Sequence, residues 1–233
     1  MIKFEHTQVF NIEGALRGLR NPIRSWSNSD SCWYSFDYDE NIIEPRSVND
    51  YYKIGDNDMA LATRLIKAGT EHRKFLRQIM VSVDITSPRF WWQEFDTYKI
   101  GTTANSESTM HTIHKKEFTV DDFSLESNTW GNSPWLKARF ENNVIGDLNF
   151  LRESYLKYTK KKELGVAKGY WRALIELLPQ SYNQKRTVTM NYEVLLNQYF
   201  QRKDHKLQEW HSYCDWIKSL PYMEDFINAI ESR

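Results

Sequence analysis

The chain has 233 residues, of which 15% are aromatic and 40% hydrophobic, and it carries nine tryptophans. Such a chain buries a substantial core and does not stay disordered. Its 31 basic residues balance 31 acidic ones, which disfavours a polynucleotide partner, and two cysteines, Cys32 and Cys214, are too few for a disulfide or metal framework.

No leader sequence and no apolar run long enough for a bilayer is evident, so a cytoplasmic protein with no membrane partner is expected. Residues 56–68 (DNDMALATRLIKA) place Met59, Ala62, Leu65 and Ile66 at helical spacing, open on acidic residues and asparagine, and end before Gly69; they predict a helix. Residues 77–86 (RQIMVSVDIT) set Ile79, Val81, Val83 and Ile85 on one side and Gln78, Ser82 and Asp84 on the other. This alternation, broken only by Met80, predicts a strand with one wet or ligand-facing side. Ser87 as cap and Pro88 in the first turn predict a helix over RFWWQEFDTYK. That helix leads into residues 101–108, rich in Gly, Thr, Asn and Ser, the composition of a loop that cradles a phosphate or a cofactor. Between Gln93 and His111 the one cation is Lys99. Residues 121–146 are rich in turn formers and read as an irregular insertion. From Asp147 the pattern is mostly helical, interrupted by an extended piece at 182–190.

Several polar residues carry two readings. Arg202 is either a helix-surface cation paired with Asp204 or Glu209, or a guanidinium fork for a ligand. Asn191 is either the N-cap of the helix that follows or an amide facing a ligand. The two lie eleven residues apart, which puts them on one face of a continuous helix. Asn105 and Ser108 suit ordinary turn chemistry as well as a binding loop. The pair Trp91–Trp92 suits core packing or stacking on a base. His72, His111 and His205 show no ligand spacing, so no metal site is expected.

The second half of the chain contains GVAKGYWRALIELLP (165–179) and TVTMNYEVLLNQYFQRKDHKLQEW (187–210). These segments resemble the flavin-dependent thymidylate synthases, which read G-ϕ-A-x-E-x-A-R-x-x-L-P and then N-x-R-x-L-x-N-x-x-x-x-R-x-D-x-x-A-Q. Asn191, Leu195, Asn197, Arg202, Asp204 and Gln208 fall in register without a gap. Upstream, GTEHRKF (69–75) occupies the place of G-H-x-S-P-x-E-H, and WWQEFDTYKIGTTANSESTMH (91–111) that of R-Q-x-x-R-H-R-x-x-S-x-N-E-x-S-x-R-Y. The resemblance covers roughly residues 55–232.

It implies an α+β fold, a curved antiparallel sheet flanked by long helices, in a single domain over residues 1–233. It implies FAD as cofactor, NADPH and methylenetetrahydrofolate as co-reactants, a pyrimidine nucleotide (dUMP) as substrate, and a homo-oligomer, a tetramer, with sites shared between subunits. Carried over residue by residue, Arg202 is the catalytic arginine that forks onto the pyrimidine edge. Gln93, Ser108 and Arg172 join it in binding the nucleotide, and Asn105, Asn191 and Asn197 bind the cofactor. The chain also departs from the pattern. The R-H-R triplet is matched by Asp96, Thr97 and Tyr98, with two extra residues before Asn105. The glutamate after the asparagine is Ser106, the loop-end arginine is Met110, the helix arginine is Ile175, and the N-x-R arginine is Glu193. Arg172, three residues before Ile175, is the best-placed substitute cation, ahead of Lys99 and Arg89. The expected function is a flavin-dependent methyl or hydroxymethyl transfer to a pyrimidine deoxynucleotide, with an altered substrate and weakened flavin binding. The competing expectation is a catalytically inactive relative that binds a nucleotide or a protein partner.

Overall fold

The computed structural model describes residues 2–34, 51–126 and 128–232. Along them run strand β1 (Lys3–Phe10), helix α1 (Ile12–Arg20), strands β2 (Cys32–Tyr34) and β3 (Tyr51–Lys53), helix α2 (Asp56–Ala68), strand β4 (Met80–Pro88), helix α3 (Arg89–Phe95) and strand β5 (Thr102–Ser106). After the one-turn helix α4 (Thr109–Thr112) come α5 (Asn128–Asn132), α6 (Pro134–Arg139), α7 (Gly146–Lys160) and α8 (Leu164–Leu177). Strand β6 (Asn183–Asn191) and helices α9 (Tyr192–Arg202), α10 (Gln208–Lys218) and α11 (Met223–Glu231) complete the chain. Residues Phe140–Ile145 form a π-helical stretch between α6 and α7, so much of the turn-rich segment is helical. The fold is α+β, an antiparallel sheet with helices; the four-stranded sheet has the order β1-β4-β6-β5, and β2 pairs with β3 in a separate ribbon.

Helix α2 forms over the predicted residues, from Asp56 and Asp58 in its first turn to Gly69, whose φ of 114° ends it. Strand β4 keeps the predicted alternation: Ile79, Val81, Val83 and Ile85 are all buried while Ser82 and Asp84 are not. Its helix start differs from the expectation. The strand continues through Ser87 and Pro88, so Ser87 is a buried pleat residue whose hydroxyl has no partner, and Pro88 stands at the N-cap. The first amides of α3 are met from elsewhere: Arg89 N donates to Tyr182 O (3.0 Å) and Phe90 N to Gln180 O (3.1 Å). The helix also ends at Phe95, before the Asp96–Tyr98 turn.

The chain divides into two compact units, with boundaries inside β1, β4, β5 and β6. The first comprises residues 1–6, 83–99 and 103–188. Its core joins Ile113, Phe118, Phe123, Ile145, Leu148, Leu174, Leu178 and Tyr182, and Trp91 and Trp92 are fully buried, which settles that pair as packing. Burial pushes the Tyr182 phenol up to about 12. Helices α7 and α8 form a hairpin, with Tyr158 and Tyr170 stacked at 5.4 Å. The second unit comprises residues 7–82, 100–102 and 189–233. Its core is aromatic as well, with Tyr192, Trp210, Tyr213 and Phe226 fully buried. Gly101 in this unit has φ 72°, and a Cβ there would stand 2.9 Å from Val194 Cγ2; both the backbone and the space require glycine.

The polar side of β4 is filled by protein. Asp84 accepts from Thr187 Oγ1 at 2.6 Å and faces His6 Nδ1 at 3.1 Å and Lys185 Nζ at 3.3 Å. The Thr187 hydroxyl first, then His6 and Lys185, lower the Asp84 carboxyl from 3.8 to about 2. A depressed folded value means that the contribution to stability is complete above pH 3.8 and is lost as pH falls toward 2. Thr187→Val is expected to return the Asp84 titration, followed by carboxyl NMR, toward the ordinary value. An unmoved midpoint would remove the hydroxyl as the main cause.

Candidate functional site

In the first unit a cleft of about 400 Å3 is lined from α3 and the turn after it by Arg89, Trp92, Gln93 and Asp96. The segment entering α4 adds Glu107, Ser108, Thr109 and Met110, β6 adds Gln184 and Arg186, and α8 adds Ile175. Gln93 and Ser108, both expected to bind a nucleotide, therefore share one cleft. So do Met110 and Ile175, the two positions where the resemblance leads one to expect arginine.

The cleft is organised by Arg186. Its guanidinium lies 4.2 Å from the Trp92 ring centroid, donates through Nη1 to Asp96 Oδ1 at 2.6 Å, and reaches Gln184 Oε1 through Nε (3.2 Å) and Nη2 (3.1 Å). Trp92 Nε1 in turn donates to Gln184 O at 2.9 Å, and Gln184 Nε2 to Glu107 O at 2.7 Å. A buried indole thus fixes the plane of the arginine, and a glutamine fixes its rotation. Arg186 shares its pleat face with the buried Val188 and Met190. An arginine in phase with core residues is the sequence signal for it; the motif matches pass over it because it lies in the extended piece between them. Arg89 has no side-chain partner among the described residues. The lining holds two cations and two carboxylates, Asp96 and Glu107, so the cleft is balanced rather than cationic.

Arg172 does not line this cleft. It sits exposed on α8, paired with Glu176 Oε1 at 2.5 Å one turn away, and the cleft is lined by Ile175 instead. The cations that line the cleft are Arg89 and Arg186. Residues 101–108 do not form a cradling loop: Thr102–Ser106 is strand β5 next to β6, so one side of its backbone is spent on the sheet. Asn105 lies exposed on this strand.

In the second unit, helix α9 carries Asn197 and Arg202, and Asn191 is its N-cap, accepting from Val194 N at 3.0 Å. The capping reading of Asn191 is therefore realised. Glu193 is paired within the protein. It is buried and accepts from Arg73 Nη2 (3.0 Å) and Nε (3.2 Å), and Arg73 Nη2 also donates to Asn197 Oδ1 at 3.2 Å. The Arg202 guanidinium lies over the Trp210 ring, 4.5 Å from its centroid. No helix among the described residues is long and apolar enough to cross a membrane.

Neither a family model nor a curated protein matches the sequence. Solved structures do match. The flavin-dependent thymidylate synthase ThyX of Helicobacter pylori, complexed with FAD and dUMP, is 17% identical, with 99% of this chain and 98% of that one covered and a TM-score of 0.60. A second structure of ThyX from Helicobacter pylori, also with FAD and dUMP, gives 14% identity, the same coverage and a TM-score of 0.60. At this identity the likeness establishes the fold, over the whole length of both chains.

Proposed function

We propose that this protein binds a pyrimidine deoxynucleotide in the cleft of its first unit, as a thymidylate synthase-like protein with an altered ligand set. The observation that carries the reading is the convergence of two arginines, two amides and two hydroxyls on one pocket within a fold whose solved relatives hold dUMP. Arg89 is the free cation for a phosphate, and Ser108 and Thr109 supply hydroxyls to it. Gln93 and Gln184 carry the paired donor and acceptor that a pyrimidine edge or a sugar hydroxyl requires. Asp96 holds Arg186 through Nη1, so a ligand phosphate shares the guanidinium with that carboxylate.

The residues present do not fit the diphosphate of FAD. The stretch matched to the cationic triplet, Asp96 to Tyr98, brings no positive charge, and its one carboxylate is held by Arg186. The reading of a binding protein without redox chemistry rests on this mismatch. One observation within the second unit favours the enzymatic reading, a methyl or hydroxymethyl transfer to carbon 5 of a pyrimidine: the Arg202 guanidinium lies 4.5 Å from the Trp210 ring centroid, and a guanidinium stacked on an indole keeps its donors for a forked contact to a carbonyl. Calorimetric titration with dUMP, deoxyuridine and FAD separates the readings. Binding of dUMP with FAD weak or absent is expected, together with failure to sustain a thymidine auxotroph. No binding of dUMP or deoxyuridine at millimolar concentration would sink the nucleotide assignment, and robust growth without thymidine would show that catalysis survives the substitutions.

Assembly belongs to the same proposal. Trp135, Phe150 and Leu164 of the first unit are each at least 60% exposed, and covering such large apolar side chains is favourable. A homo-oligomer, a tetramer by the resemblance, covers such a surface. Sedimentation velocity at micromolar concentration is expected to show more than one chain per particle; a sharp monomer boundary would contradict it.

A further inference from the structure

We propose that the second unit carries a separate site for the phosphate group of a small phosphorylated molecule, built between α2 and the serine-rich segment that follows α1. An open pocket of about 510 Å3 is lined there by Arg20, Arg64, Ser25, Ser27, Asn28 and Asn57, among others, with no carboxylate in its lining. The argument rests on Arg20. It is 3% exposed, its Nε donates to Asp58 Oδ1 at 2.5 Å and its Nη1 to Ser25 O (3.1 Å) and Ser25 Oγ (3.2 Å), yet its Nη2 has no partner.

Asp58 does not provide one. Its second oxygen already accepts from Ser29 Oγ (2.7 Å), Ser31 Oγ (2.5 Å) and Ser31 N (3.3 Å), and its first oxygen is bonded to Arg20 Nε rather than Nη2. Asp30 is also consumed inside the protein, where it caps α2 by accepting from the amides of Asn57 (2.9 Å) and Asp58 (3.2 Å). Asp30 and Asp58 are therefore engaged inside the protein, and Arg20 Nη2 is left without an acceptor among the described residues, a costly state. Arg64 also lines the pocket; it is exposed and has no side-chain partner among the described residues. An oxyanion seated between the two arginines supplies the acceptor that Arg20 lacks and the counter-charge that Arg64 lacks. Ser27, Asn28 and Asn57 add neutral donors, the usual company of a bound phosphate. The volume exceeds that of inorganic phosphate, while Leu61 and Ile23 give the pocket an apolar wall. These features fit a phosphate monoester whose organic part rests against that wall.

The site lies within the second unit and does not depend on the cleft of the first. Its test is calorimetric titration of the whole protein with inorganic phosphate, ribose 5-phosphate and ribose, at fixed ionic strength, on the parent chain, Arg64→Gln, Ser27→Ala and Arg89→Gln. Ribose 5-phosphate is expected to bind, inorganic phosphate more weakly, and ribose not at all. Arg64→Gln is expected to weaken binding about tenfold or more, the loss of one charge-assisted hydrogen bond. Ser27→Ala should weaken it less, and Arg89→Gln should leave it unchanged. Equal binding by the parent, Arg64→Gln and Ser27→Ala overturns the proposal, as does loss of binding in Arg89→Gln, which would place the phosphate in the cleft. No heat with either phosphate at millimolar concentration also overturns it.

Discussion

Glu193→Ala is expected to destabilise the protein by about 3–5 kcal/mol, because it strands the Arg73 guanidinium in a buried position without its counter-ion. Both side chains are under one-tenth exposed, and Arg73 spends two nitrogens on the carboxylate. The remaining bond from Arg73 Nη2 to Asn197 Oδ1 cannot replace a full charge. Guanidinium unfolding of the variant measures the loss as a shift in midpoint. A double variant, Arg73→Met with Glu193→Leu, is expected to recover most of it, since replacing both partners leaves no charge unpaired. A loss below about 1 kcal/mol in Glu193→Ala would place the pair in solvent and return Glu193 to the list of candidate ligand-facing groups.

The second large effect concerns the cleft. The double variant Arg89→Gln, Arg186→Gln is expected to weaken dUMP binding by about two to four powers of ten, from two charge-assisted hydrogen bonds of about 1.5–3 kcal/mol each. Asp96→Asn should act in the opposite direction. Removing the carboxylate frees Arg186 from its bond at 2.6 Å, so affinity for the anionic nucleotide rises while that for deoxyuridine changes little. Calorimetry on these variants reads both signs. Equal affinities for dUMP across the parent, the double variant and Asp96→Asn would exclude the cleft as the phosphate site. The pairing of opposite signs distinguishes a local charge effect from general damage to the fold, which weakens binding in every variant.

The elements with strong internal periodicity were legible in the sequence. Helix α2, the alternation of β4 and the strand over 183–191 each depend on side chains a few residues apart, so local pattern alone determines them. The α+β class followed from the resemblance, which also marked Gln93 and Ser108 as nucleotide-binding, and both line one cleft. What the sequence could not show were pairings between distant positions. Asp96 and Glu193 read as acids in a ligand site, whereas their meaning depends on Arg186, ninety positions away, and on Arg73, one hundred and twenty positions away. Arg186 itself lies in no motif, and only the sheet brings it onto the ring of Trp92. Ser87 looked like a helix cap because the backbone carbonyls that meet the first amides of α3 come from Gln180 and Tyr182. The Gly/Thr/Asn/Ser composition of 101–108 suited a loop, but the open edge of β6 gave those residues a strand to pair with. Local propensity is an interaction among neighbours in the chain; a charge's partner and a strand's edge are set by contacts across it, and those exist only once the chain has folded.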